Sequence, residues 1–304
     1  MQPQFKKQFI ERYSRLTDWK VFKIACIKRL KRSIRINTLK ISPEKLINKL
    51  EEKGYFLKKI PFSDYGYYIE GEQMDIGNLP EHALGYFYVQ EAASMIPPLV
   101  LQPKKHEIIL DMAAAPGSKT TQMSAMMENT GIIIANDYKY QRLKPLDINT
   151  QRCGCKNVIS TISYGHRIKN MKFDKILLDA PCSGTGGICK SLKTLQIYNT
   201  EMIKKLSKDQ KTLILAAYSL LNQNGVLVYS TCSLEPEENE EVIDYLLKET
   251  DAELEKIEIN NLKISEPVTE FENKSYSKEI KKCLRIWPQD NQTEGFFVAK
   301  IIKP

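Results

Sequence analysis

From about residue 106 onward, short apolar runs alternate with segments of helical periodicity. The runs are EIILDM, GIIIAND, KNVISTI, DKILLDA and GVLVYST. Helical segments such as 119–128 and 201–222 separate them, and EGFFVAKIIK follows as a last strand. A strand covered on both faces by helices is a continuous apolar run, and strands that alternate with helices form parallel sheets. The pattern predicts an α/β, Rossmann-like, doubly wound and mostly parallel sheet.

The N-terminal part of the chain has a different pattern, which predicts a small α+β domain. KRSIRINTLK alternates as a strand does, and residues 42–54 form a helix pattern with Ser and Pro at its start and Gly at its end. A second strand is predicted around residues 67–69. We place the boundary so that a basic N-terminal domain covers 1–78 and a second domain covers 79–304.

Positive charge is concentrated at the start of the chain. Residues 1–40 contain twelve Lys or Arg and two acids, a balance of +10, while the whole chain carries +8. A basic segment on a near-neutral body is typical of phosphate-backbone binding, and a solvated helical face is the alternative. The segment is predicted to be helical because apolar residues recur at helical spacing, at Phe5, Phe9, Tyr13 and Leu16.

Composition excludes several other classes of protein. The chain has 304 residues, 42% of them hydrophobic and 27% charged, without the run of about 20 apolar residues that spans a membrane. The N-terminus has no apolar signal core, so we expect a cytoplasmic protein. Seven irregularly spaced cysteines argue against a disulfide framework, and three histidines without a CxxC argue against zinc.

Polar strings follow the apolar runs at the carboxyl ends of the predicted strands, where such sheets bind ligands. The first string, DMAAAPGSKT, is a small-residue turn that opens a helix whose free N–H groups can hold an anion. Its GSKT resembles the end of a P-loop, but that motif needs Gly where Met112 stands, so nucleotide hydrolysis is excluded. Asp137 follows the second run, where it suits ribose hydroxyls or, alternatively, a helix N-cap.

Two cysteines follow the fourth and fifth runs, Cys182 in DAPCSGTGG and Cys232 in YSTCSLEPEENE. Free cysteines are most often small buried hydrophobes, which is the alternative. A pair of thiols suits pyrimidine chemistry, because a thiolate adding at carbon 6 makes carbon 5 nucleophilic, and a second group must then remove the carbon 5 proton. Asp179 can contact a base edge. Pro236 and the acids after it suit the first turn of a helix.

Four of these strings, in their order and spacing, closely resemble the motifs of the Nol/Nop/Sun (NSUN, RsmB-like) RNA cytosine-5 methyltransferases. They are DMAAAPGSKTTQ, IIIAND, LLDAPCSGTG and LVYSTCSLEPEENE. SIRINTLK, YVQEAASM and RIWPQDNQTEGFFVA resemble further blocks of the family, so the resemblance covers about residues 33–304. It implies a seven-stranded methyltransferase sheet, a small N-terminal RNA-binding domain, and methyl transfer from S-adenosyl-L-methionine to carbon 5 of cytosine in RNA.

The resemblance also implies a role for individual residues. Cys232 would be the nucleophile at carbon 6 and Cys182 would act in release of the product. Lys119 and Asp179 would hold the target base, which must be unstacked to reach the pocket. The implied cofactor site comprises Ala113, Ala114, Ala115, Pro116, Gly117, Ser118, Lys119, Asp137, Arg142 and Asp179.

The chain departs from the family's pattern at two positions. Tyr164 stands where an Asp near the adenine is usual, and we expect it to stack on the adenine or hydrogen-bond to it. Tyr198 stands in place of a tryptophan that follows PCSGTG in the family.

The substrate is the least constrained part of the hypothesis. Compact, archaeal-type members of the family act on tRNA, so tRNA is favoured over ribosomal RNA. A DNA cytosine-5 enzyme would use the cysteine of its Pro-Cys string, so Thr-Cys232 argues against it. A weakly catalytic, cofactor-binding RNA scaffold is the remaining alternative, and the intact thiol pair argues against that. We expect a monomer that binds RNA, without a metal or a membrane partner.

Overall fold

The structure, a computed structural model, describes residues 5–70 and 75–304. Its N-terminal part contains α1 Lys7–Leu16, α2 Trp19–Ile27, β1 Ser33–Ile36, α3 Pro43–Glu51, β2 Phe56–Lys59, β3 Gly66–Glu70, α4 Pro80–Ala83 and β4 Phe87–Val89. The four strands form an antiparallel sheet in the order β2-β3-β1-β4. The predicted small α+β domain is confirmed, including the strand in KRSIRINTLK and the helix with Pro43 in its first turn.

The small sheet extends beyond residue 78, where we place the domain boundary. Strand β4 pairs with β1, with Val89 opposite Ile34. The boundary itself stays a prediction, but the fourth strand of the small sheet lies on the C-terminal side of it.

The rest of the chain forms the larger α/β domain. Its elements are α5 Ile96–Leu101, β5 Ile108–Asp111, α6 Ser118–Met126, β6 Ile132–Asp137, α7 Tyr140–Cys153, β7 Val158–Ile162, β8 Phe173–Asp179, α8 Lys193–Ile197, α9 Thr200–Leu220, β9 Leu221–Thr231, α10 Glu240–Glu249, β10 Glu253–Glu255, β11 Glu270–Phe271, β12 Lys274–Ser275, β13 Leu284–Ile286, α11 Pro288–Asn291 and β14 Phe296–Ile302. All the apolar runs named above are strands, as predicted.

The large sheet has the order β10-β14-β9-β8-β5-β6-β7, and β13 pairs with β14 at its side. Pairing is parallel from β9 to β7, while β14 is antiparallel to β9 and β10. The prediction of a doubly wound, mostly parallel seven-stranded sheet is therefore confirmed, with β13 as an addition that the sequence did not indicate.

Alternate residues of the central strands face opposite sides of the sheet, and each side has its own apolar core. Leu110 and Ile176 are buried in the core that includes α9 and α10. Ile109 and Leu177 are buried in the core that includes α5 and α6. Each such side chain stabilises the fold by roughly 2 kcal/mol. Because helices cover both faces, the carboxyl edge of the sheet is the side open to ligands.

The N-terminal helices pack against the large domain. Tyr13 and Phe22 stack with ring centroids 4.9 Å apart, and Phe22 contacts Trp287 edge-on at 5.7 Å. The predicted helical stripe is confirmed at Phe9, Tyr13 and Leu16, whereas Phe5 precedes α1. Its partners are side chains of the large domain, including Leu234 and Tyr198. The basic N-terminal segment is therefore part of the folded body, and two of its arginines, Arg12 and Arg35, are buried.

All seven cysteines are free thiols. Among the described residues, no helix has the length and apolar character needed to cross a bilayer. The same residues contain no cluster of three side chains suited to holding a metal ion.

Candidate active site

Backbone hydrogen bonds join the loops that follow β5 and β8 to the carboxyl ends of the neighbouring strands β6 and β9. The N–H of Ala114 donates to the carbonyl of Asn136 at 2.8 Å, and the N–H of Ala180 donates to the carbonyl of Ser230 at 2.9 Å. The polar strings that the sequence assigned to one edge of the sheet therefore lie side by side.

The two thiols predicted to act together are in contact. The Sγ atoms of Cys182 and Cys232 lie 3.4 Å apart, and both side chains are partly exposed. The hydrogen bond with Cys232, together with burial, raises the pKa of Cys182 well above the ordinary value for a thiol. Cys182 is therefore protonated at neutral pH and can donate its S–H to a thiolate at Cys232.

Lys119 and Asp179 form an ion pair in the same site. The Lys119 Nζ atom donates to Asp179 Oδ2 at 2.7 Å and to Ser94 Oγ at 3.1 Å, and Ser230 Oγ donates to Asp179 Oδ1 at 2.8 Å. Burial acts to lower the pKa of Lys119, but the charge and hydrogen bond of Asp179 outweigh it and raise that pKa. The ammonium therefore stays charged although the side chain is buried.

Lys119 owes its position to the turn that starts α6. Gly117 precedes the helix with φ +99°, in the left-handed region that favours glycine. A Cβ at this position would lie 2.9 Å from Leu146 Cδ1. The glycine thus lets the chain turn tightly against α7 and brings Lys119 into the first turn of α6, facing Asp179.

Pro236 and the acids that follow it lie at the starts of helices, as predicted, although two short elements share them. Residues Pro236–Glu238 form a short 3-10 turn, and α10 begins only at Glu240. Glu238 is fully buried and accepts the backbone N–H of Ser183 at 2.9 Å, the Gln210 amide at 3.1 Å, and the hydroxyls of Ser183 and Ser233. Since Ser183 follows Cys182 and Ser233 follows Cys232, this carboxylate ties the two cysteine loops together.

Asn239 fixes the backbone around the second cysteine. Its Oδ1 accepts the Thr231 hydroxyl at 2.6 Å, and its Nδ2 donates to the carbonyl of Ser233 at 2.9 Å. Thr231 and Ser233 flank Cys232 on both sides. Neither Glu238 nor Asn239 is predicted individually from the sequence, where their signal is the density of polar residues directly after the cysteine.

A cavity of about 330 Å³ opens beside the ends of β5, β6 and β7. Ala113 from the predicted cofactor loop lines it, with aromatic and polar side chains opposite. These include Asn136, Tyr138, Tyr164, His166 and Asp209. The rings of Tyr138 and Tyr164 lie 5.9 Å apart, and both line this cavity. Asp209, from α9, was not expected there.

Asp137 has an unused acceptor at the edge of this region. Its Oδ1 accepts the N–H of Lys139 at 3.2 Å, whereas the buried Oδ2 has no hydrogen-bond partner and lies 3.5 Å from Arg142 Nε. A buried carboxylate oxygen without a donor is costly unless a ligand supplies one. The pair of aromatic rings and this free oxygen suit a nucleoside, with the base at the rings and ribose hydroxyls at Asp137.

The remaining residues of the predicted cofactor loop lie between Ala113 and α6. Ala114, Ala115 and Gly117 are buried, Ser118 is half-buried and Pro116 is exposed. Arg142 donates to the carbonyl of Ala115 at 2.5 Å, which links the loop to α7.

Comparison with known proteins assigns the chain to a family. Residues 98–302 match the family described as 16S rRNA methyltransferase RsmB/F. Residues 5–92 match the N-terminal domain of 16S rRNA methyltransferase RsmF. The protein belongs to the RsmB/F family of methyltransferases, so the resemblance read from the sequence is confirmed.

Three relatives illustrate the range of this similarity. The tRNA (cytosine(49)-C(5))-methyltransferase of Pyrococcus abyssi is 50% identical, and the match covers 99% of this chain and 97% of that protein. Ribosomal RNA small subunit methyltransferase F of Vibrio atlanticus is 40% identical over 94% of this chain, which spans only 60% of that protein's length. The crystal structure of NSun6 from Pyrococcus horikoshii with SFG is 26% identical, with TM-score 0.87, over 100% of this chain and 99% of that one.

Proposed function

We propose that this protein transfers a methyl group from S-adenosyl-L-methionine to carbon 5 of cytosine in tRNA, through a covalent adduct with Cys232. The observation that carries the proposal is the contact of 3.4 Å between the Cys182 and Cys232 sulfurs, beside the Lys119–Asp179 pair. The similarity to a full-length tRNA (cytosine(49)-C(5))-methyltransferase at 50% identity supports tRNA over ribosomal RNA.

In this mechanism Cys232 adds as a thiolate to carbon 6, and the displaced electron pair makes carbon 5 nucleophilic. Lys119 can donate to the carbonyl oxygen of the base and stabilise the negative charge that develops on the ring. Asp179 holds the Lys119 ammonium in place and can accept a hydrogen bond from the edge of the base. The cofactor supplies the electrophilic methyl group when it is bound. Loss of the carbon 5 proton then restores the double bond and breaks the bond between sulfur and carbon 6.

Cys182 is suited to remove that proton because its acidity depends on the state of Cys232. The hydrogen bond with Cys232 and burial, followed by the charge of Cys232, raise the pKa of Cys182. Once Cys232 is bonded to carbon 6 it carries no charge, so the last of these effects disappears. The Cys182 thiol then loses its proton to solvent more readily, and the resulting thiolate accepts the carbon 5 proton as Cys232 leaves as a thiolate.

The described residues fit the proposed cofactor. The free Oδ2 of Asp137 suits ribose hydroxyls, and Tyr164 and Tyr138 offer ring faces and edges to an adenine. The NSun6 structure contains SFG, an analogue of S-adenosylmethionine, which supports the same cofactor here. We assign the cofactor to the residues Ala113, Ala114, Ala115, Pro116, Gly117, Ser118, Lys119, Asp137, Arg142 and Asp179.

The N-terminal domain is proposed to bind the RNA. Lys28 and Arg29 are exposed directly after α2. Cys26, near the end of α2, packs in the same apolar cluster as Ile188, so that end lies close to the segment that follows Cys182. Exposed cations at this end of α2 can hold phosphates of the RNA backbone. The monomeric state and the cytoplasmic location expected from the sequence stay predictions.

The test is transfer of a tritiated methyl group from S-adenosylmethionine to unmodified tRNA, ribosomal RNA and DNA, using wild type, Cys232→Ala and Cys155→Ser as a matched control. We expect label on tRNA with wild type and the control, and none with Cys232→Ala. Label on ribosomal RNA alone would favour the ribosomal alternative. Absence of label from every RNA would contradict the proposal and favour a scaffold role.

A further inference from the structure

Arg12 of α1 is buried in a pocket of carboxylates. Its Nε lies 2.8 Å from Glu235, its Nη2 2.5 Å from Glu237 and its Nη1 2.8 Å from Glu272, and its guanidinium lies 4.5 Å from the centre of the Phe271 ring. Only 6% of Arg12 is exposed. All three nitrogens of the guanidinium are therefore engaged within the protein, and none faces an external phosphate.

Tyr13, the next residue of α1, binds Glu235 as well. The Tyr13 hydroxyl donates to Glu235 Oε1 at 2.6 Å, while Arg12 binds Oε2. Glu235 and Tyr13 are both completely buried. Both oxygens of Glu235 are thus fixed by two consecutive residues of the N-terminal helix, with the planar fork of an arginine as one partner.

Glu235 is three residues from Cys232, and the loop between them contacts both cysteine loops. The N–H of Glu235 donates to Ser233 Oγ at 3.1 Å, and the N–H of Leu234 donates to Thr185 Oγ1 at 2.9 Å. Thr185 belongs to the loop of Cys182. A displacement of Glu235 would therefore be transmitted to the relative position of the two sulfurs.

We propose that α1 positions the nucleophile, with Arg12 and Tyr13 as positioning residues that hold the Cys232 loop through Glu235. The expected change in kcat rests on the proposed function. The geometric argument concerns only the relative position of the Cys182 and Cys232 thiols. It assigns a buried part of the basic N-terminal segment to the active site, whereas the charge pattern of the sequence predicted RNA binding for that segment as a whole.

The test compares Arg12→Ala, Arg12→Lys and Tyr13→Phe with Arg15→Ala, a matched control because Arg15 is an exposed arginine of the same helix. A misplaced reacting group lowers the rate of the chemical step more than substrate binding, so we expect Arg12→Ala to lower kcat about tenfold or more. The KM for tRNA should change by less than about twofold. Arg12→Lys should recover part of kcat, and Arg15→Ala should leave it unchanged.

A second measurement needs no RNA. Dibromobimane becomes fluorescent when it bridges two nearby thiols, so the part of its fluorescence that is absent in Cys182→Ala reports bridging of Cys182 to Cys232. We expect bridging to slow about tenfold in Arg12→Ala and to be unchanged in Arg15→Ala. This measurement decides the inference even if wild type methylates none of the RNAs, an outcome that would contradict only the proposed function.

Circular dichroism separates a loss of position from a loss of fold. If Arg12→Ala is unfolded, the milder Arg12→Lys and Tyr13→Phe carry the same comparison, and a normal bridging rate and kcat in both would overturn the inference. A higher KM with unchanged kcat in Arg12→Ala would also overturn it, since that result would assign Arg12 to RNA binding.

Discussion

The sulfur atoms of Cys182 and Cys232 lie 3.4 Å apart although the residues are 50 positions apart in the chain. Their strands, β8 and β9, are parallel neighbours in the sheet, with Asp179 opposite Ser230. Each cysteine follows the end of its strand within a few residues, so the register of the sheet brings both thiols to one edge. The contact is thus a consequence of strand order as much as of the loops.

Cys182→Ala tests the division of labour between the thiols. Without a group to accept the carbon 5 proton, the bond between Cys232 and carbon 6 cannot break, so turnover should fall by about a hundredfold or more. A protein–RNA adduct that survives denaturing electrophoresis should accumulate, and it should be absent in the double variant that also carries Cys232→Ala. Normal turnover by Cys182→Ala would mean that another base removes the proton.

Gly186→Ala tests how closely the two cysteine loops approach. A Cβ at Gly186 would lie 2.1 Å from the carbonyl oxygen of Gly295 and 2.8 Å from that of Cys232, so the backbone must shift. We expect a loss of about 1–3 kcal/mol in the free energy of unfolding and a fall in kcat of about tenfold. Gly77→Ala is the control, because a Cβ there meets no atom within 4 Å.

Asp111→Asn tests the pH dependence of stability. Burial raises the pKa of Asp111 to about 7 from an ordinary value of 3.8, and the hydrogen bond from Thr120 offsets only part of that effect. The folded protein thus holds a proton that the unfolded chain releases, so this contribution to stability is present below about pH 4 and is lost as the pH rises to about 7.

Asparagine keeps an acceptor for Thr120 but does not titrate. Urea denaturation across that range should therefore give a shallower fall in the free energy of unfolding for Asp111→Asn than for wild type, at about 1.4 kcal/mol per unit of pKa shift. Equal slopes for the two proteins would mean that Asp111 is ionised in the folded state.

The double variant Lys28→Ala, Arg29→Ala tests RNA binding by the N-terminal domain. Each phosphate contact contributes about 0.9 to the slope of log affinity against log salt for a duplex, so the slope should decrease by nearly two units. Filter binding of tRNA at a series of salt concentrations measures it. Lys248→Ala, in α10 and paired with Asp244, is the control. An unchanged slope in the double variant would indicate a solvated surface.

Local patterns were sufficient to predict the strands and the residues at their ends. Continuous apolar runs predict the strands β5 to β9 because helices cover both faces of the sheet. The polar strings at the ends of those strands predict that Cys182, Cys232, Lys119 and Asp179 lie at one edge. The sheet order then determines their proximity. These predictions needed only the periodicity of the chain and the general behaviour of parallel sheets.

Such patterns do not predict which charged residues pair when the partners are far apart in the sequence. Arg12 and Glu235 are 223 positions apart, and neither the basic N-terminus nor the acidic string after Cys232 specifies its partner. The excess of positive charge suggested a surface, whereas the structure buries Arg12 and Arg35. A charged side chain near an apolar stripe is compatible with both outcomes, and only the packing of α1 on the large domain decides between them.

Arg285→Ala tests the buried ion pair between Arg285 and Glu240, which lies next to the loop that follows Cys232. Arg285 and Glu240 are both fully buried, with contacts of 2.7 and 2.6 Å, and Arg285 also donates to the carbonyl of Leu234 at 3.0 Å. Removing the arginine leaves the charge of Glu240 without a partner, so the free energy of unfolding should fall by about 3–5 kcal/mol.

Two further variants isolate the cause of that loss. Arg285→Met combined with Glu240→Gln removes both charges and keeps much of the volume, so it should be less destabilising than Arg285→Ala alone. Lys256→Ala breaks an exposed pair with Glu258 and should leave the free energy of unfolding nearly unchanged. If urea denaturation instead gave the double variant the larger loss, the attraction between the two buried charges would exceed the cost of their desolvation.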